Sequence, residues 1–563
     1  MADASFDVVY AGGGYGALMS APYFAMNNMS VGVFEATREL GGGSASEPRP
    51  LPGFVGNPHF QVIVTHLAPQ VQDFKLWEKG LKFVFPDRDL EMVFPDGKAL
   101  SIFHCTHYDM ETGLSKFIPE VYEENCKRLE KFNPRDAERL FKLYDKAERH
   151  WLLAMMQELF SPPSPWGEKA PFEELLDNPE ESGLDPKWMF MPYIEVLRDM
   201  FESEKFQMMI FRMSMTNGQY PQDIQPLVLM SLYLLVCLGA IGVPHVVGGS
   251  HQVAHSLQRR LADLGGMTFV NCAVDKILVE NGKAKGIKLV DGTEIEAKKL
   301  VVANINPHQL IFRMLRDFPI SDEIKRKLNN VISARATLFW GNVAYHERPN
   351  WIGEAGADPG YGQASYTIIG DDDVDYVANE YQYQCQHVRP GNWPPKLYMF
   401  ASSPTGFGID PTVAPPGKQI ALLEEYGPPA SAMSEREWIQ LRREAGPKIL
   451  EEWAKYAPNM APDSDNIIGW DFDTPWDCLH RHQNYREGSW SQGIGQQAHQ
   501  WARFRPIPEL SQYQVPGIEN LFTTGNAYHS GIGSQASYAY CTYKKVAEKM
   551  GLRKFWEEAG RLY

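Results

Sequence analysis

The chain has 563 residues, 44% of them apolar and 22% charged, with a net charge of −16. That length has room for two or three domains, or one large interleaved pair, around a sizeable core. The acidic balance argues against a nucleic-acid partner, because phosphate contacts need clustered Lys and Arg. Seven scattered cysteines with no CxxC pair argue for free thiols rather than a disulfide framework or a zinc site.

The first residues enter a strand at once. No basic segment and no apolar leader precede it, so a cytoplasmic placement is expected. "FDVVYA" (6–11) reads as a buried parallel strand, "ALMSAPYFAMNN" (17–28) as a helix and "MSVGVFE" (29–35) as a second strand. The glycine-rich turn between strand and helix fits a dinucleotide fingerprint in two registers. Gly12-x-Gly14-x-x-Ala17 is preferred, since the third position needs only a small residue while the first needs glycine's backbone freedom. In this reading Gly14 lets the backbone approach a pyrophosphate at the helix N-terminus, and Gly13 and Gly16 are spacers. Glu35 ends the second strand, where a carboxylate accepts hydrogen bonds from ribose hydroxyls and repels a 2′-phosphate. NADP is therefore disfavoured.

A second glycine cluster follows in "ATRELGGGSASEP" (36–48). NAD does not need it. It suits a cofactor whose pyrophosphate and ribityl chain continue past the first turn. The region 101–244 is helical by spacing, with Met-aromatic stripes such as "WLLAMMQELF" (151–160) and "FQMMIFRMSM" (206–215). Such stripes are core or the lining of an apolar pocket. "LVLMSLYLLVCLGAIGV" (227–243) reads as a buried helix, short for a membrane span. The 246–307 block reads as glycine turn, helix and four strands, with Asn281-Gly282 and Asp291-Gly292 as hairpin turns. Strands are expected at 336–345, 366–377 and 396–404. His480 and His482 would share one face of a strand, but no carboxylate or cysteine completes a metal site. "NLFTTGNAYHSGIG" (520–533) leads a strand through a glycine turn into a helix, another N-terminus offering amides to an electron-rich group. The basic tail 543–556 reads as an amphipathic helix, either a solvated face or a contact with an anionic bilayer.

Together these blocks resemble the phytoene desaturase-like FAD-dependent oxidoreductases, within the amine-oxidase-like flavoproteins. They occur in that family's order and cover about half the chain. "GFVGNPHFQVIVTHLAP" (53–69) is closer to the branch of pyridine nucleotide-disulfide oxidoreductase domain 2 than to the carotenoid desaturases. The resemblance implies an α/β fold: a Rossmann-type FAD-binding domain (1–100, 245–330 and 466–563) interleaved with an α+β substrate domain (101–244 and 331–465), an antiparallel sheet with a helical cap. It implies FAD held by Gly12, Gly14, Ala17, Glu35, Gly41, Gly42, Gly43 and Ser44. Val274 falls where a backbone group meets adenine, and Gly525, Asn526, Gly531, Ile532 and Gly533 fall at the flavin end. Ser530 stands where the family usually has proline, and Ile532 interrupts its glycine triplet.

The implied chemistry is hydride transfer to flavin N5 from an apolar isoprenoid, terpene or alicyclic substrate, giving desaturation or another oxidation. His59 and His529 are the candidate bases, with Tyr528 and Tyr538 behind them. Amine oxidation, a redox-neutral isomerisation and a flavin-binding interaction module stay open. So do oxygen, a quinone or NAD as electron acceptor, peripheral membrane contact and homo-oligomerisation.

Overall fold

The computed structural model describes residues 2–60, 64–215, 220–333, 337–489, 494–531 and 536–563. The N-terminal unit forms as its sequence predicts: β1 (Ala4–Ala11), α1 (Tyr15–Ala25) and β2 (Val31–Phe34). Every residue of α1 is buried. This fits a helix that is apolar all round and packed between the sheet and other helices. Tyr23 of α1 stacks on Tyr543 at 4.6 Å between ring centroids.

One sheet carries the nucleotide-binding topology. The strand Met267–Phe269, β2, β1, Glu294–Ala303 and Leu521–Thr523 run parallel in that order. An antiparallel pair, Val274–Glu280 and Lys283–Leu289, continues the sheet from Glu294–Ala303. Asn281 and Gly282 turn that hairpin with φ of 50° and 72°, the left-handed pair a tight two-residue turn demands. The register aligns the carboxyl ends: Ala11 pairs with both Phe34 and Ala303, and Ala303 pairs with Thr523. Ligands of open parallel sheets bind outside this edge.

The second sheet has seven strands in the order Ile467–Asp473, Thr337–Tyr345, Gln419–Gly427, Met399–Ser402, Tyr366–Ile369, Arg88–Val93 and Ala99–Phe103. It is antiparallel except where Tyr366–Ile369 meets Arg88–Val93 in parallel, so the fully antiparallel expectation needs this correction. Sheet membership also corrects the boundaries. Arg88–Val93 and Ile467–Asp473 belong here, so limits at 100 and 466 leave strands of this sheet in the nucleotide domain. Strand pairing, which the chain order does not reveal, sets these limits. One face of the sheet packs on the helix Glu435–Ala454 through Phe339, Leu423 and Trp453. The other, with Leu338, Trp340, Phe400, Leu422 and Tyr426, joins the core shared with α1 and the helical cap.

The cap includes Leu152–Phe160, Tyr193–Met200, Glu204–Met215 and Leu227–Cys237. Leu227–Cys237 is buried along its whole length, and no helix among the described residues is long and apolar enough to cross a membrane. The Met-aromatic stripes prove to be both core and lining. Met208, Met209 and Phe211 are fully buried, while Trp151, Ile210 and Met230 border a small apolar pocket. The basic tail is not one helix. Ser537–Met550 ends at left-handed Gly551 and a short turn, Phe555–Glu558, follows. Tyr543, Val546, Phe555 and Trp556 are buried, so its apolar side packs on the core.

Candidate functional site

The residues just beyond the aligned strand ends meet at one cleft. Gly12 follows β1 with φ of +90°, and a Cβ there would lie 3.0 Å from the Asn304 carbonyl oxygen. Only glycine takes that backbone and that approach without strain. Gly14 is the N-cap of α1 and offers no capping side chain, and the N-terminal end of the helix, with its partial positive charge, borders the cleft at Gly14, Tyr15 and Gly16. The second cluster lies directly against the first. Gly41 N–H donates to the Gly13 carbonyl at 3.0 Å, and Gly42 has room for a Cβ only 3.3 Å from the Gly14 Cα. The cleft opens to solvent and is walled by glycine backbone and aromatic rings. Gly14, Tyr15, Gly16, Gly42, Gly43, Ser44, His59, Phe60, Asn304, His482, Asn484, Tyr485, Gly525 and Tyr538 line it.

Seven of the expected residues therefore share the cleft: Gly14, Gly42, Gly43, Ser44, His59, Gly525 and Tyr538. Others support it from behind. Glu35 accepts the Gly13 N–H at 2.8 Å and the Thr37 N–H at 2.9 Å. Ala17 is fully buried within α1. Gly41 packs a would-be Cβ 2.8 Å from that of Ala254. Val274 is buried in its strand opposite Leu289. Asn526 borders a smaller pocket beside Asn304, and Ile532 and Gly533 lie outside the described residues.

Gly13 and Gly16 are more than spacers. A Cβ on Gly13 would come within 2.3 Å of Leu40, and one on Gly16 within 2.7 Å of Tyr538. Gly531 packs a would-be Cβ 2.6 Å from Arg505 Nε. Arg505 is fully buried and donates to the carbonyls of Gly495 and Asn526, each at 2.8 Å. With no charged partner among the described residues, it is lowered by burial to about 9.

The two candidate bases part company. His529 is fully buried and absent from the cleft lining. Its Nε2–H donates to the Glu158 carbonyl at 2.9 Å, and Trp501 stands edge-on to it. It ties the last glycine turn to the helical cap. His59 does line the cleft. Its Nε2 is buried without a partner, and its ring meets Trp340, His482 and Tyr485 edge-on. Burial, followed by the positive neighbours His482, Arg481 and Arg49, pushes it well below the usual histidine range.

Sequence reasoning missed His482 and Tyr485. His480 and His482 do not share a strand face; Pro475–Arg481 is a helix that ends between them. His480 turns to the Trp476 carbonyl, while His482 lines the cleft with Nε2 unpartnered and is held at about 4 by burial. Tyr485 fills the space Gly43 leaves, where a Cβ would stand 1.9 Å from its hydroxyl. The glycine at 43 was the one available signal of this close approach. No acidic or basic side chain other than these two histidines lines the cleft among the described residues. No group of three metal-ligating side chains occurs among them either.

A parallel nucleotide sheet, a glycine-capped helix N-terminus against a second glycine cluster, and a separate substrate sheet define a two-domain FAD flavoprotein. The family model of flavin containing amine oxidoreductases matches residues 18–340, more than half the chain. The chain belongs to that family, and FAD is its cofactor. Over its whole length it is similar to a limonene dehydrogenase subunit of Castellaniella defragrans, 24% identical over 570 residues, 98% of this chain and 96% of that one. It is 38% identical over 95 residues to the neurosporene-forming phytoene desaturase of Rhodobacter capsulatus, 16% of this chain and 18% of that one. Among solved structures, a putrescine oxidase variant shares the fold with a TM-score of 0.59 at 12% identity, over 97% of this chain and 98% of that one. Cyclohexylamine oxidase from Brevibacterium oxydans gives 0.52 at 16%, over 97% and 99%.

Proposed function

We propose that the protein is an FAD-dependent dehydrogenase that oxidises an uncharged, apolar, terpene-like substrate. The observation that carries this reading is the cleft lining. It offers aromatic walls from Tyr15, Phe60, Tyr485 and Tyr538 and two histidines held neutral by burial, so the lining presents no fixed charge. Full-length similarity to the limonene dehydrogenase chain supports the terpene class.

Bound FAD supplies a two-electron acceptor for hydride. The chain's part is to hold and dry the site. The α1 N-terminus at Gly14 and the Gly42–Ser44 backbone would receive the pyrophosphate. Glu35 would accept ribose hydroxyls, and the Val274 backbone would meet the adenine. Gly525, Asn526, Gly531, Ile532 and Gly533 would form the flavin end. His59 and His482 are weak bases at these depressed values, and their free Nε2 atoms suit hydrogen bonding within the site rather than proton abstraction.

The test is anaerobic mixing of the FAD-loaded protein with limonene, and separately with cyclohexylamine, while following the flavin's visible absorbance. Limonene should bleach it and the amine should not. Bleaching by the amine alone would replace this reading with amine oxidation.

A further inference from the structure

Buried carboxylates in this chain have partners, with one exception among the described residues. Asp89 meets His104, Asp473 meets Arg49, Glu158 accepts the Trp501 indole N–H, and Glu425 accepts the Tyr381 hydroxyl. The side chain of Glu424, next in the chain to Glu425, makes no hydrogen bond and no ion pair. It keeps 8% exposure although it sits mid-strand on the face of the sheet that joins the core, so part of the side chain meets open space. An unpaired buried carboxylate costs several kcal/mol, on the order of a whole domain's margin, and such groups concentrate at functional sites.

The strand places this carboxylate. Alternation sends Glu425 toward the helix Glu435–Ala454 and Glu424 to the opposite face, with Leu422 and Tyr426. Glu424 is paired across the sheet with Trp340 on one side and Phe400 on the other. Trp340 in turn meets His59 at 5.7 Å between centroids, and His59 lines the cofactor cleft. Glu424 therefore stands one strand away from the tryptophan that backs the cleft wall.

Its surroundings leave it free to exchange a proton. The Arg212 guanidinium lies over the Phe400 and Tyr426 rings at 5.5 and 5.2 Å and donates to the Tyr398 carbonyl at 3.0 Å. Arg212 forms no ion pair with Glu424. Burial, opposed by the charge of Arg212, pushes Glu424 up to about 7. Tyr366 and Tyr426 also feel the charge of Glu424 and are kept protonated by burial, and Tyr233 and Asp89 act on Tyr366 in turn. A base is most effective when it titrates near the working pH. Glu424 meets that condition and the cleft histidines do not.

We propose that Glu424 is the proton acceptor of the oxidation. A hydride leaves one substrate carbon for FAD. The C–H bond on the neighbouring carbon breaks, its electron pair forms the C=C bond, and its proton passes to the Glu424 carboxylate. This rests on the reading of the protein as an FAD-dependent dehydrogenase.

The experiment compares wild type, Glu424→Gln and Glu424→Asp, each loaded with FAD. FAD content and visible spectrum should be the same in all three. Limonene should bleach E424Q at least about 100-fold more slowly than wild type, and E424D should recover part of the rate. The wild-type rate should rise with pH through neutrality, a limb that E424Q lacks. An unchanged rate in E424Q, or a raised KM with unchanged kcat, overturns the proposal. A second readout needs no turnover. Infrared titration of the oxidised holoenzyme should show a carboxylic-acid carbonyl band that disappears near neutral pH and is missing from E424Q. Absence of that band in wild type overturns the role of Glu424. Failure of limonene to bleach wild type while the band is present instead overturns the substrate reading alone.

Discussion

At the nucleotide end, Ala11, Phe34, Ala303 and Thr523 stand side by side, and the residue after Ala11, Phe34 or Ala303 is Gly12, Glu35 or Asn304. On the substrate sheet, the residues behind the cleft come from the middles of strands: Trp340, Phe400 and Glu424, with Arg212 laid across them from the cap. The first region is made largely of backbone, and glycines are what let the backbone come close. The second is made of side chains brought together by pairing between distant strands. A backbone site tolerates almost no added atom but holds little charge. A side-chain site keeps charge buried and must neutralise it, which it does at each described carboxylate except Glu424.

The most damaging change breaks the joint between the two regions. Arg49, just past the second glycine cluster, is buried and binds Asp473 of the substrate sheet at 2.7 and 2.9 Å. Asp473→Asn would leave that guanidinium with only the half-buried Asp471 as a charged partner, at a cost of about 3 kcal/mol in unfolding experiments. Burial works to raise Asp473, but hydrogen bonds and charge from Arg49 outweigh it and hold it below the usual aspartate range. Its stabilisation is therefore complete above the unfolded aspartate value of about 3.9 and is lost as pH falls through the lower folded value. Stability curves of wild type and D473N should converge in acid.

A milder substitution separates the regions. Gly12→Ala adds a Cβ in the left-handed region, costing about 1–2 kcal/mol. FAD affinity, measured by equilibrium binding, should fall about tenfold, since 1.4 kcal/mol is a factor of ten. The substrate sheet should unfold as before. A variant that binds FAD normally would remove Gly12 from the cofactor turn.

His529 should matter least to the chemistry. His529→Gln loses the bond to the Glu158 carbonyl, worth about 1 kcal/mol of stability. The rate of flavin bleaching by limonene should stay within about threefold of wild type, well under the effect expected of a catalytic base. A collapse of that rate would return His529 to the reacting site.

The nucleotide region is legible in the sequence because its signals are local. Gly12, Gly14 and Gly41–Gly43 lie within one supersecondary unit, and each departs from ordinary backbone or spacing in a way that only glycine permits. The Asn281-Gly282 hairpin is legible for the same reason. His482 is not, because alternate spacing looks the same on a strand and at a helix end, and the Thr474 cap that starts the helix gives no hint of where it stops. His529 lies within the expected flavin motif, but its direction depends on the cap helix that supplies the Glu158 carbonyl.

The parallel βαβ unit, the two glycine clusters and the order of blocks that carry FAD follow from the residue order alone, because turn chemistry and apolar periodicity act over a few residues. Which strands join which sheet, which histidine faces the cleft and which of Glu424 and Glu425 is left unpaired are settled by packing in three dimensions. The last case gives the reason most plainly. Adjacent carboxylates on a strand point to opposite faces, and what each face meets is set by residues such as Tyr381, Arg212 and Trp340, far away in the chain.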